Sequence, residues 1–296
     1  MLILKLIHNV DFEFVRELQE LRDILKKKSI VIGLVESEDN NTHIIKIMCD
    51  EEVYNEKVKN MIYLYISNIL YNIVIEEYRK RELFNFLTET FFFLKQEELF
   101  EVENIIMRIL KGEENLKDEN MIYTMNKIYI ILEKIKVCIE ENAELNVKGF
   151  ITFRMKELRE DIEDIIDRIV EEYMVDKEYK EFVKLLKYFV DIQDSKIEKI
   201  NIYIQDNGEY ILKDGYGNDI FQEFIKEIAE CKIETEAKIE DIIISGLITN
   251  APKKVIIHKK EKCLNKEFVE TIINVFGEKV SICTGCSNCL ESRLKI

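Results

Sequence analysis

Three cysteines stand three residues apart near the end of the chain, in the run Cys283-Thr-Gly-Cys286-Ser-Asn-Cys289. A step of three lets two sulfurs turn back on one centre, and Gly285 permits the tight backbone turn such a knuckle needs. A tetrahedral Zn²⁺ takes four ligands, and Cys263 and His258 are the candidates for the fourth. Bacterial ferredoxins share the first three cysteines but add a fourth after three more residues, followed by proline. Here Glu291, Ser292 and Arg293 follow, which breaks that pattern. The run by itself leaves four readings open: thiols that carry no metal, a structural Zn²⁺, thiol–disulfide exchange, or an iron–sulfur cluster. Clustered as they are, these thiols are poor core filling. Cys49, Cys138 and Cys231 instead sit singly in apolar segments, where cysteine behaves as a small hydrophobe.

Other chemistry-bearing patterns read as surface. Lys253, Lys254, His258, Lys259, Lys260 and Lys262 form a basic run with one acid, Glu261. It suits an acidic partner or a nucleotide phosphate, but charge runs are mostly solvated flanks. Asp161, Glu163, Asp164, Asp167, Glu171 and Glu172 invite a metal–carboxylate reading. A bridged di-metal site wants Glu-x-x-His pairs; none occurs, so these acids read as a solvated helix face. Neither common nucleotide-cradling glycine loop is present, and Gly215-Tyr-Gly217 reads as a plain loop. The three histidines (8, 43 and 258) lie beside no nucleophile motif, and Ser245-Gly246 falls inside an apolar helix.

The elements that must position the cysteines come next. Lys254–His258 reads as a buried strand, Asn265–Phe276 as a helix capped by Asn265, and Lys279–Cys283 as a last strand. Strand, helix, strand at this spacing predicts a right-handed βαβ crossover with parallel strands. Parallel neighbours would bring the end of one strand, near His258 and Cys263, beside the end of the other at Cys283. Upstream, Ile200–Gln205 and Glu209–Lys213 flank Asp206-Asn207-Gly208, a hairpin signal whose two central residues would need positive φ. Helices follow over 219–229 and 239–249, the second stopping before Pro252.

Residues 1–49 read as a small β-α-β-β unit: a strand at Leu2–Ile7, a helix at Phe12–Lys28, and strands at 29–35 and 42–49 around the loop Glu38-Asp39-Asn40-Asn41. Residues 50–195 read as a helical domain. Asp50 is the expected first cap, the helix 83–110 is expected to carry Phe91-Phe92-Phe93 into the core, and Met121–Glu141 forms a further helix. Two helices fill 147–194, separated at Asp176-Lys177-Glu178. Residues 196–296 make a C-terminal α/β module of hairpin plus βαβ. The expected fold class is α+β and mostly helical.

Composition narrows the setting. The 296 residues carry a formal charge of −15, are 47% hydrophobic and 34% charged, and include one proline and nine glycines. Such a chain folds, favours long helices, and gains nothing by approaching nucleic-acid phosphates. The apolar start of the chain lacks a basic region before it, so no signal peptide is expected. The longest apolar stretch, Met61–Ile75, is interrupted by Ser67, Asn68 and Asn72, and a span needs roughly 20 residues. The expectation is a cytoplasmic protein without a transmembrane segment, its thiols reduced.

The segments Gly149-Phe-Ile-Thr-Phe-Arg-Met-Lys-Glu-Leu-Arg-Glu160 and Lys177-Glu-Tyr-Lys-Glu-Phe-Val-Lys-Leu-Leu-Lys-Tyr-Phe-Val-Asp191 resemble the central part of the YtxC family. So do the helical middle, the apolar helix before Ala251-Pro252, the strand Val255–His258 and the cysteine-bearing end. That resemblance implies a role in endospore formation in spore-forming Firmicutes and carries over no catalytic residue. The leading expectation is a protein that performs no reaction and acts through contacts with a protein partner, with Zn²⁺ as the candidate cofactor. Two alternatives stand beside it. One is a nucleotide-dependent regulator or enzyme with its site at the C-terminal strand ends, near Lys259, Cys263 and Cys283. The other is a thiol redox switch.

Overall fold

Apolar residues alternate through 200–204 and 255–257 and recur at helical spacing through 158–173, and each segment adopts the element its period demands. The computed structural model describes residues 1–9, 15–39, 42–230, 238–286 and 289. Phe12, Asn40-Asn41, Cys231 and Glu291-Ser292-Arg293 lie outside the described residues. The fold is α+β and mostly helical. Its two compact units are Met1–Met174 and Val175–Ile296, whereas the sequence draws boundaries after residues 49 and 195.

In the first unit, β1 (Leu2–Asn9), α1 (Val15–Lys27), β2 (Ile32–Asp39) and β3 (Thr42–Cys49) follow the β-α-β-β order. Their core side chains, including Leu4, Leu21 and Ile47, join one cluster with those of the helices that follow. Residues 1–49 thus share their core with the helical residues of the same unit. A further strand, β4 (Glu144–Asn146), pairs parallel to β1 and completes the sheet order β2-β3-β1-β4. Three residues are too few to leave a periodic signal.

Helix α2 (Glu56–Tyr78) begins at Asn55, whose side chain accepts from the Val58 N–H at 3.0 Å. Asp50 does not cap it; its carboxylate accepts from the Glu52 N–H in the preceding turn. Ile62, Ile66, Leu70 and Val74 of the long apolar stretch are buried. Among the described residues no helix is long and apolar enough to cross a membrane. A π-helical turn at Arg79–Leu83 leads into α3 (Phe84–Thr90). The expected single helix then breaks, and α4 (Gln96–Leu110) starts afresh where Glu98 accepts from the Lys95 N–H. The aromatic triplet falls in that break. Phe91 is half-buried, but Phe92 and Phe93 are 81% and 54% exposed rather than deep in the core.

Helices α5 (Asp118–Glu141) and α6 (Val147–Ile192) complete the bundle elements. The polar triplet 176–178 does not interrupt α6, because Asp, Lys and Glu tolerate a helix interior and no Gly or Pro accompanies them. Asp161 is buried rather than solvated. Lys127 (3.2 Å) and Lys134 from α5 pair with its carboxylate, and Lys127 also reaches Asp164 at 2.7 Å.

The second unit carries β5 (Lys199–Ile204), β6 (Tyr210–Asp214), α7 (Phe221–Glu230), α8 (Ile239–Asn250), β7 (Lys254–His258), α9 (Lys266–Phe276) and β8 (Val280–Ile282). The sheet order is β6-β5-β7-β8, with β5, β7 and β8 mutually parallel and β6 antiparallel to β5. The hairpin closes through Asp206–Gly208, with the Gln205 N–H donating to the Glu209 carbonyl at 2.8 Å. Only Gly208 takes positive φ there (84°), so this is a three-residue connection rather than the two-residue turn expected.

Ile200, Ile202, Ile204, Leu212, Val255 and Ile257 fall on one sheet face, and they form a core with Phe224, Leu247, Phe268 and Ile272 of the helices. Helix α8 approaches α7 at Gly246, where an added Cβ would lie 2.1 Å from Phe224 Cδ2. Alternation sends Lys199, Asn201, Tyr203 and His258 to the opposite face.

Candidate metal centre

The register of the parallel strands assembles the site. Ile257 pairs with Ile282, and the Cys283 N–H donates to the Ile257 carbonyl at 2.9 Å. The next residue on each strand, His258 and Cys283, therefore shares the face opposite the helices. Gly285 then turns the chain at φ 135°, a backbone region that side-chain-bearing residues rarely occupy. The Cys289 N–H donates to the Cys286 carbonyl at 3.0 Å, closing the knuckle.

Cys286 and Cys289 Sγ are 3.5 Å apart, and Cys289 and Cys283 Sγ are 4.0 Å apart. His258 Nδ1 lies 3.6 Å from Cys286 Sγ and 3.4 Å from Cys289 Sγ. All four donor atoms lie within 4.8 Å of one another. A tetrahedral zinc with Zn–S about 2.3 Å and Zn–N about 2.0–2.1 Å has edges of about 3.8 Å for S···S and about 3.5 Å for S···N. Those four separations, 3.4–4.0 Å, bracket these edges, and Cys₃His is a ligand set that structural zinc uses. Four protein donors fill a tetrahedron and leave no position for water or substrate, which is the mark of a structural rather than a catalytic metal.

The site is sheltered. His258 and Cys289 are buried, and Cys283 and Cys286 partly so. The Tyr203 ring stacks on the His258 imidazole at 4.1 Å and 12°, and Lys213 Nζ lies 5.9 Å from the centroid of that tyrosine. Burial lowers the His258 pKa, aided by the Lys199 charge, so the imidazole is held neutral. Burial pushes the Cys289 thiol up to about 11, with the neighbouring Cys286 and Cys283 sulfurs adding to the shift. Without a cation the Cys289 sulfur is a thiol, and a metal would have to displace its proton.

Of the five residues singled out from the sequence, the structure brings together His258, Cys283, Cys286 and Cys289. Cys263 does not join them. After β7 a 3₁₀ turn at Lys260–Lys262 carries it toward the helix-covered side. There its Sγ donates to the Asn265 carbonyl at 3.0 Å and meets the Tyr210 hydroxyl at 3.6 Å. Cys263 and Cys283 accordingly do not converge. The basic run is partly neutralised, with Lys253 paired to Glu198 and Lys262 to Asp206 at 3.3 Å. Cys49 and Cys138 are buried and single.

Sequence reading missed Asn201 and Tyr203. Their signal was the alternation of β5, Lys-Ile-Asn-Ile-Tyr-Ile, which leaves every second residue on the face where His258 arrives.

The fold and this cluster now meet the relatives. Residues 64–281 match the model of the YtxC-like family. That is well over half of the sequence, and the chain belongs to the YtxC-like family. It is 23% identical over 254 residues to the Bacillus subtilis (strain 168) protein named "Uncharacterized protein YtxC", covering 85% of this chain and 88% of that one. No solved structure matches. The family segment includes His258 and ends at residue 281, two positions before Cys283.

Proposed function

We propose that this chain is a cytoplasmic, non-enzymatic protein of endospore formation that works through contacts with a protein partner. Its second unit is stapled by Zn²⁺ on His258, Cys283, Cys286 and Cys289. The observation that carries this reading is the set of four donors, three sulfurs and one imidazole nitrogen, within 4.8 Å of one another. The sporulation role rests on the family resemblance. Exposed apolar side chains along the end of α6, among them Phe182, Leu185, Tyr188 and Ile192, supply contact area of the kind protein partners cover.

Elemental analysis of the purified full-length chain tests the staple. One zinc per chain is expected, lost in Cys286→Ser together with heat-resistant spore yield in a strain making only that variant. Metal-free wild-type protein, or turnover of a substrate by it, overturns the proposal. A second reading draws on the 3.5 Å separation of Cys286 and Cys289 Sγ: a redox switch in which peroxide oxidises these two thiols to a disulfide, releasing two waters. Reversible loss of the two thiols in metal-free protein would favour it.

A further inference from the structure

Asn201 sits behind the histidine of the cluster, on the neighbouring strand. Its Nδ2 donates to the Asp214 carbonyl at 3.1 Å, and its Oδ1 lies 3.3 Å from His258 Nε2. A backbone carbonyl only accepts, so the amide cannot be flipped: the nitrogen must face Asp214 and the oxygen must face the ring. An amide oxygen likewise only accepts, so the neutral imidazole must place its proton on Nε2. Nδ1 then carries the lone pair, and Nδ1 is the atom that faces Cys286 and Cys289.

We infer that Asn201 is a positioning residue for the metal centre, holding His258 in the Nε2–H tautomer and aiming its Nδ1 lone pair at the point the three sulfurs surround. The Asp214 carbonyl fixes Asn201, Asn201 fixes the imidazole, and the Tyr203 ring limits its tilt. Ligating histidines are commonly oriented by such an outer hydrogen bond, whose loss costs about 10–100-fold in metal affinity. The inference rests on the zinc reading above and adds to it a determinant outside the ligand set.

Two variants of the full chain separate orientation of the histidine from simple bracing of the strands. Asn201→Leu removes both hydrogen bonds; Asn201→Asp keeps an acceptor for Nε2–H but loses the donor to Asp214. Competition with a chromophoric zinc chelator should show Asn201→Leu weakened about 10–100-fold and Asn201→Asp restored to within a few-fold of wild type. Equal loss in both variants would mean that Asn201 only braces β5 against β6, and unchanged affinity in Asn201→Leu would mean that it does nothing for the metal. Either result overturns the inference while leaving the zinc proposal standing. Wild-type protein that binds no zinc brings down both. Long-range ¹H–¹⁵N spectra of the three imidazoles in wild-type protein provide a check independent of any variant. His258 should appear as the Nε2–H tautomer without metal and be ligated through Nδ1 with zinc; ligation through Nε2 overturns the inference.

Discussion

The two units solve the same stability problem with unequal means. Among the described residues the first unit buries a continuous apolar cluster of 46 side chains, and the second buries 17. A small core leaves little margin over chain entropy, and small domains commonly add a metal or disulfide. The cysteine–histidine cluster sits in the unit with the smaller core. The larger unit instead pairs its buried carboxylate, Asp161, with two lysines. The contrast teaches that a four-donor site can be read as part of a fold's stability rather than as the seat of a reaction.

The sharpest way to break the comparison is to strip the proposed metal. Chelation, or Cys286→Ser, should destabilise the second unit by several kcal/mol while the first unit is unchanged, read as a shift of one of two expected calorimetric transitions. Equal shifts in both would erase the contrast. Gly246→Ala comes next. A Cβ 2.1 Å from the Phe224 ring forces α7 and α8 apart, and overpacking of this kind costs about 3 kcal/mol, again confined to the second unit in denaturant melts.

The first unit should respond to acid through Asp161. Burial opposes its charge, but hydrogen bonds from Lys134 and Lys127 prevail and hold its pKa below the usual carboxylate value. Its contribution is then complete above the unfolded carboxylate pKa, about 3.9, and fades as pH falls through the lower folded value. Asp161→Asn should cost about 2 kcal/mol at neutral pH and flatten the acid limb of a stability–pH curve.

The smallest effect is a gain. Ser29, exposed and at φ 61°, ends α1 in a left-handed turn in which the Ile30 N–H donates to the Leu25 carbonyl at 2.9 Å. Ser29→Gly should raise first-unit stability by about 0.5–1 kcal/mol.

Much of the second unit was legible in the sequence because its signals are local. Asn265 caps α9 through the Phe268 N–H, Ala251-Pro252 ends α8, and β7 occupies the predicted residues. That His258 and Cys283 follow the paired ends of neighbouring strands was expected from a parallel crossover. What was illegible depends on contacts distant in sequence. Cys263 is as near to His258 along the chain as any candidate ligand, yet a short turn sends it to the other sheet face. Phe92 and Phe93 look like core by residue type, but a helix restarting at Gln96 leaves them outside. Charge at 176–178 resembles a break, although helix propensity alone tolerates it.

The last strand has a consequence for how the protein meets its own copies. β8 is three residues long and forms one border of its sheet, and borders of sheets are where stray strands add on. With regular pairing confined to Val280–Ile282, this border offers an incoming strand only a short run of unpaired amides to grip. The brevity of this last strand is thus itself a safeguard against edge-to-edge aggregation.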